Sequence, residues 1–176
     1  MKKFFLLRLQ ANNRAAFSLV ELIIVIALIA LLAMLCAAHS SFLTRMLVRA
    51  ELEHLYSVSY YLQRKALMLH VPQTISFDIQ NNRYDADGKT YRLASQVKFG
   101  TAHGVKGPPS QPNTVIHTPI TFTGNSITFY PDGVIQSGAV YITDANRSVT
   151  YALSCAVSSV SYLRKYQYTD AWHIIS

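Results

Sequence analysis

The chain has 176 residues, 51% of them hydrophobic, and a formal net charge of +7. This size suits one modest domain together with a long apolar segment. The basic residues Lys2, Lys3, Arg8 and Arg14 precede the apolar segment with no acidic residue among them. Much of the positive charge therefore belongs to a leader and does not indicate a nucleic-acid-binding domain.

The apolar segment AAFSLVELIIVIALIALLAMLCAA contains a single charged residue, Glu21. As a helix, residues 17–38 would extend about 33 Å, which is enough to cross a bilayer. The excess of Lys and Arg before this span predicts a cytoplasmic leader and an extracytoplasmic C-terminal domain. A carboxylate inside a membrane span costs about 2.5–3.5 kcal/mol and therefore suggests a function. The alternative is that Glu21 lies at headgroup depth, where its cost is small.

Two other interpretations of this segment stay open. A secretory signal could be removed within MLCAAHSS, or the chain could be a lipoprotein acylated on Cys36. Either would make the protein an unrelated secreted or signal-anchored β-domain. Glu21 fits neither. The second cysteine, Cys155, lies far away, so the pair does not indicate a disulfide framework.

All glycines and prolines lie at or after Pro72, and helical periodicity continues up to that point. One face of the predicted helix carries residues at alternating spacings of four and three, namely Val48, Leu52, Leu55, Ser59, Leu62, Ala66 and Leu69. We predict one helix from Ser18 to His70. Its first half is the membrane span, and residues 39–71 form an amphipathic half that packs on its own domain.

From Pro72 to Ser176 the apolar period changes to two, which predicts a β-rich domain. Turn signals include Asn81-Asn82 and Asp87-Gly88. Predicted strands are TISFDIQ, residues near Thr90–Leu93, PITF, SITFYPDG, GAVYITDANR, VTYALSCA and SSVSYLRKY. The segment from Gly100 to Pro119 is predicted to be a long loop. These elements predict an α+β fold.

No catalytic constellation is recognisable, so the protein is predicted not to be an enzyme and to need no cofactor. His103 and His117 share the long loop, but two histidines without a third ligand do not predict a metal site. Asp85–Gly88 lacks the later ligands of a calcium loop and is interpreted as a turn.

A basic and aromatic cluster near the C-terminus raises a binding hypothesis. Arg164 and Lys165 lie beside Tyr166, and cations interleaved with rings suit nucleic-acid backbones and bases. The alternative is a strand edge protected by charge. Nucleic acid is thus a candidate partner of these residues.

The segment AFSLVELIIVIALIALLA after a basic leader resembles the N-terminal motif of type IV prepilins and type II secretion pseudopilins. SITFYPDGVIQSGAVYIT looks like the Phe-x-Pro-x-Gly segment of the GspH/FimT class of minor pilin-like proteins. The resemblance implies a pilin-like fold and a structural role in a filament anchored in the bacterial inner membrane. Some FimT-type relatives bind DNA during natural transformation, so the resemblance also implies the DNA-binding alternative.

The resemblance also implies roles for individual residues. Prepilin peptidase would cut between Ala16 and Phe17, removing residues 1–16, and Phe17 would be N-methylated. Glu21 would pair with the new amine of a neighbouring subunit during assembly. The implied partners are the peptidase, other pilin or pseudopilin subunits, the inner-membrane assembly platform and membrane lipid. Ala16 stands where the family most often has Gly, and the apolar half lacks the Pro of many major pilins.

Overall fold

The structure, a computed structural model, describes residues 18–109, 113–157 and 162–175, without the side chains of residues 35–41. The predicted cleavage and methylation residues, Ala16 and Phe17, lie outside these ranges. The chain divides into two compact units, Met1–Ser40 and Ser41–Ser176. Among the residues that the structure describes, no helix has both the length and the apolarity needed to span a membrane.

Helix α1 extends from Leu19 to Leu69 and confirms the predicted helix to within one residue at each end. Ser18 caps its start, since the backbone N–H of Glu21 donates to Ser18 Oγ at 3.2 Å. In the first unit, the side chains of residues 18–34 are all exposed.

In the second unit, α1 buries the predicted stripe against the β-sheets. Six residues of the stripe are 0% exposed, namely Val48, Leu52, Leu55, Ser59, Leu62 and Ala66. Ser59 is tolerated there because its hydroxyl donates to the Leu55 carbonyl at 2.8 Å. The seventh, Leu69, is 57% exposed, so the prediction was wrong at this position. The helix ends at Leu69, and His70 takes a left-handed φ of 56° that turns the chain away.

Two antiparallel sheets accompany the helix. Their strands are β1 Gln73–Asp78, β2 Arg83–Ala86, β3 Lys89–Arg92, β4 Val97–Phe99, β5 Ser126–Phe129, β6 Gly138–Asp144, β7 Thr150–Cys155, β8 Arg164–Tyr168 and β9 Trp172–Ile175. The four-stranded sheet has the order β3-β2-β1-β5 and the five-stranded sheet has the order β4-β6-β7-β8-β9.

Local sequence features correctly predicted several of these strands. Asp87 and Gly88 both have positive φ, 54° and 71°, and form the predicted two-residue turn between β2 and β3. In β1, Ile75 and Phe77 are buried, whereas Thr74 and Ser76 are exposed. Most buried hydrophobic side chains of α1 and of both sheets form one hydrophobic cluster. The α+β, pilin-like arrangement of an N-terminal helix packed on antiparallel sheets is thus confirmed.

The sequence analysis missed two strands and predicted one strand that the structure does not contain. The short strands β4 and β9 were not predicted, and the segment PITF is not a regular strand. Instead, Thr121 N donates to the Ala139 carbonyl at 2.9 Å and Ile120 forms an isolated bridge with Val140. The segment lies along the edge of β6 that β4 also uses. Strand β4 and residues 120–121 therefore pair with different parts of the same edge of β6, and neither extends along the whole of β6.

Candidate functional site

The first candidate site is the start of α1. Glu21 is exposed in the first turn of the helix, where a carboxylate is favoured by the helix dipole. Within residues 18–109, 113–157 and 162–175, no cation lies within 4.0 Å of its carboxylate. The geometry therefore presents an exposed carboxylate at the head of an apolar helix, without an ion-pair partner in the described part of the chain.

The second candidate site is β8, and its three predicted residues lie in different environments. Lys165 points toward α1, where its Nζ lies 2.9 Å and 2.8 Å from the two carboxylate oxygens of Glu53. The same Nζ lies 4.9 Å from the ring centroid of Tyr56, and the Lys165 side chain is only 13% exposed. The charge of Lys165 is therefore compensated inside the protein.

Tyr166 also has a packing role. It packs against a small cluster of buried residues made by Ala139, Tyr141 and Ala152, and its ring meets Trp172 edge-on at 6.5 Å. Because neighbouring residues of a strand point to opposite faces, β8 separates Lys165 from Arg164 and Tyr166. Of the three, Arg164 is the exposed one.

Arg164 lies in an arrangement that the sequence did not reveal. Its guanidinium carbon is 4.9 Å from the ring centroid of Tyr162, and its Nη2 donates to the Tyr162 hydroxyl at 2.9 Å. Arg64 on α1 makes the same arrangement with Tyr60, at 5.1 Å from the centroid. The spacings Tyr60–Arg64 (i, i+4) and Tyr162–Arg164 (i, i+2) were the available signals.

The tyrosines of these two pairs, Tyr60 and Tyr162, line one small cleft, which we call the tyrosine cleft. It has a volume of about 80 Å³ and is lined by Tyr56, Tyr60, Gln63, Tyr162 and Leu163. Helix α1 contributes one wall, and Tyr162 and Leu163, which directly precede β8, contribute the other. The tyrosine cleft therefore brings together residues about a hundred positions apart in the sequence.

The long loop from Gly100 to Pro119 is attached to the five-stranded sheet. The indole Nε1 of Trp172 donates to the carbonyls of Lys106 and Gly107, and Ala102 N donates to Thr150 Oγ1 at 2.7 Å. A pocket of about 390 Å³ lies between the loop and the β8–β9 turn. His103 and His117 belong to this loop, and the described residues contain no cluster of three His, Cys, Asp or Glu side chains.

Asp170 lines the same pocket. Hydrogen bonds from Thr169 and then His173, together with backbone N–H groups, lower its pKa to about 2. The carboxylate is therefore ionised at neutral pH and is not poised for proton transfer.

Comparison with known proteins identifies the N-terminal segment. Residues 11–37 match the family described as the prokaryotic N-terminal methylation motif. The match supports a type IV pilin-like protein. Proteins of this motif family are structural and not catalytic, and the motif implies peptidase processing, other pilin subunits and membrane anchoring through the N-terminal helix. No curated protein and no solved structure is significantly similar to the chain.

Proposed function

We propose that this pilin-like protein is a minor subunit, of the GspH/FimT class, of a type II secretion pseudopilus or a type IV pilus. In this proposal residues 17–38 anchor it in the bacterial inner membrane, with the leader cytoplasmic and the β-rich domain periplasmic. The observation that carries the proposal is the methylation motif over residues 11–37, which overlaps the first part of α1.

The arrangement of α1 supports the proposal physically. Its residues 18–34 are exposed and mostly apolar, whereas its stripe from Val48 to Ala66 is buried in its own domain. An exposed apolar helix half is suited to lipid and to the same half of other subunits. In the proposal, Glu21 pairs with the methylated amine of Phe17 on a neighbouring subunit. Desolvation offsets much of this attraction, so the pair serves register more than net stability.

Processing is the first test. Intact mass and N-terminal sequencing of the protein from its native membrane should give a chain that starts at methylated Phe17, after cleavage at Ala16. A start after Ala38, or acylation of Cys36, would exclude prepilin processing and favour a secreted protein or lipoprotein.

Assembly is the second test. Glu21→Ala and Glu21→Gln should leave membrane insertion and cleavage intact but reduce incorporation into filaments, because both remove the negative charge. Glu21→Asp keeps the charge and should retain part of the incorporation. Quantitative blotting of sheared filaments against membrane fractions measures the ratio. If Glu21→Gln is incorporated as well as the unsubstituted protein, Glu21 has no pairing role and the headgroup interpretation stands.

A further inference from the structure

Arg147 takes an unusual backbone conformation in the turn between β6 and β7. Its φ of 54° lies in the left-handed region, which is uncommon for residues other than Gly, Asn, Asp and His. Every other described residue with a positive φ is one of those four types. The turn itself is organised by Asp144, whose carboxylate accepts hydrogen bonds from the backbone N–H groups of Ser148 and Val149. The turn therefore does not explain an arginine at this position, and such a backbone outlier suggests a function.

The Arg147 side chain is exposed and lines a pocket of about 330 Å³. The other polar side chains of the pocket come from the two ends of the long loop. Thr101 comes from its start, and His117 and Thr118 come from its end. An arginine, an imidazole and two hydroxyl groups, all of which can donate hydrogen bonds, thus line one pocket.

The two ends of the long loop are held by the same residue of β6. The Tyr141 carbonyl accepts a hydrogen bond from Gly100 N at 2.9 Å, and Tyr141 N donates to the Pro119 carbonyl at 2.8 Å. Thr101 and Thr118 each lie next to one of these anchored residues. The parts of the loop that line the pocket are therefore fixed to the five-stranded sheet.

The positive charge of Arg147 is not compensated by the described chain. Within the described ranges, no carboxylate lies within 4.0 Å of its guanidinium. None of the described residues that line the pocket is acidic. The nearby carboxylate of Asp144 is already occupied by its bonds to the turn. The pocket therefore favours an anion.

The size and donor set of the pocket indicate which anion fits. A volume of about 330 Å³ lies at the lower end of the range for small-molecule sites. A guanidinium pairs with a phosphate through two parallel hydrogen bonds. A phosphomonoester has three acceptor oxygens and a charge of about −1.5 to −2, whereas a carboxylate has two oxygens in one plane and a single charge. Donors from three segments of the chain suit the phosphomonoester better.

We propose that this pocket binds the phosphomonoester group of a small molecule. Arg147 pairs with the phosphate, and the hydroxyl groups of Thr101 and Thr118 donate to its other oxygens. The organic part of the ligand lies against the apolar side chains of Phe99 and Ile116, which also line the pocket. The site goes beyond the proposed filament role and does not depend on it.

The test is isothermal titration calorimetry of the full chain in non-ionic detergent micelles, with phenyl phosphate as the probe. Phenyl phosphate should bind saturably, more tightly than benzoate, and less tightly as salt is added. Arg147→Gln should weaken binding about tenfold, as expected for loss of a charged hydrogen bond. Arg147→Lys should bind with intermediate affinity because lysine keeps the charge without the planar fork. Dihexanoyl phosphatidic acid carries the same group on a lipid, and its affinity relative to phenyl phosphate distinguishes a lipid headgroup from a free phosphate.

The matched control is Lys98→Gln. Lys98 is exposed and directly precedes Phe99, but neighbouring residues of a strand point to opposite faces. This variant removes the same charge nearby and should bind phenyl phosphate as the unsubstituted chain does. Arg147→Gly should lose binding yet keep or raise the Tm without ligand, because glycine suits the positive φ. The glycine variant keeps the test valid if Arg147→Gln is unstable.

Four results would overturn the proposal. They are no saturable binding of phenyl phosphate, equal affinities for phenyl phosphate and benzoate, and equal losses in Arg147→Gln and Lys98→Gln. The fourth is binding of oligothymidylate, but not of phenyl phosphate, that depends on Arg147, which would make this turn a nucleic-acid surface.

Discussion

Lys165 and Glu53 lie 112 positions apart in the sequence, and the Lys165 Nζ contacts both carboxylate oxygens of Glu53, at 2.9 Å and 2.8 Å. This ion pair connects strand β8 to helix α1. The lysine side chain is 13% exposed and that of the glutamate is 37% exposed, so solvent screens the pair only in part. Loss of one partner leaves the other charge partly buried and uncompensated.

We therefore expect Lys165→Met to lower the free energy of unfolding by about 1–2 kcal/mol, between the values for exposed and buried pairs. The double variant Lys165→Met/Glu53→Leu should recover most of this loss, because neither charge is then left alone. Urea denaturation of the four members of this double-mutant cycle measures the coupling energy. A coupling energy near zero would show that the pair does not stabilise the contact between β8 and α1.

Asp144 organises the turn between β6 and β7. Its carboxylate accepts hydrogen bonds from Ser148 N at 2.7 Å, Val149 N at 3.0 Å and Asn146 N at 3.2 Å, and from the Ser148 hydroxyl at 3.0 Å. Asp144→Ala leaves these donors without their acceptor. We expect a loss of about 2–4 kcal/mol in the free energy of unfolding, measured by urea denaturation. The charge-matched control Asp132→Asn, at an exposed turn, should cost much less.

The same carboxylate predicts a pH dependence. Burial by itself raises the pKa of Asp144, but hydrogen bonds from Val149 and Ser148 outweigh it and hold the pKa below the ordinary value of 3.8. A carboxylate with a lowered pKa in the folded state stabilises the fold above its unfolded pKa, and this contribution is lost as the pH falls through the folded pKa. Stability should thus fall below about pH 4, and less steeply in Asp144→Asn. Equal slopes in the two proteins would contradict this account.

Gly138 and Gly88 provide a matched pair of glycine substitutions. A Cβ at Gly138 would lie 2.8 Å from Phe122 Cα and 2.5 Å from Phe122 Cδ1, whereas a Cβ at Gly88 meets nothing within 4 Å. Gly88→Ala should cost about 1 kcal/mol from its positive φ alone. Gly138→Ala should cost at least about 2 kcal/mol more, because Phe122 and its backbone must move. Thermal denaturation compares the two, and equal costs would mean that residues 119–122 are not held against β6.

The buried stripe of α1 predicts where a stable fragment must begin. Leu52, Leu55 and Leu62 are each 0% exposed, and their burial contributes about 5–9 kcal/mol in total. This is comparable to the whole stability of a typical domain. We expect residues 72–176 alone to lack a cooperative thermal transition and residues 41–176 to show one. A cooperative transition in the shorter fragment would show that the sheets form a core without the helix.

Features set by nearby residues were predictable from the sequence. The stripe of α1 follows from a period of 3.6 residues, and the turn at Asp87-Gly88 follows from the backbone freedom of those residues. The strands β4 and β9 have three and four residues, too few for a period-two pattern to be distinguished from a loop. They exist because β6 and β8 offer edges with which they pair.

In the candidate sites, too, some features could be predicted from the sequence and others could not. The motif around Glu21 is continuous in sequence, so the sequence alone was enough to single it out. The partner of Lys165 and the tyrosine cleft depend on how β8 and the residues before it lie against α1, and no local pattern specifies that contact. Arg164 and Lys165 are neighbours in sequence, yet the pleat of the strand sends one to the solvent and the other to Glu53.

The bonds from Trp172 to the carbonyls of Lys106 and Gly107 have a spectroscopic consequence. The chain contains one tryptophan, and its indole lies where strand β9 meets the long loop. Its emission therefore reports on this one location, free of signals from other indoles. Detachment of the loop would expose the ring to water and shift the emission to longer wavelength while the circular dichroism of α1 stays constant. The protein thus carries a built-in fluorescent probe that separates release of the loop from unfolding of the domain.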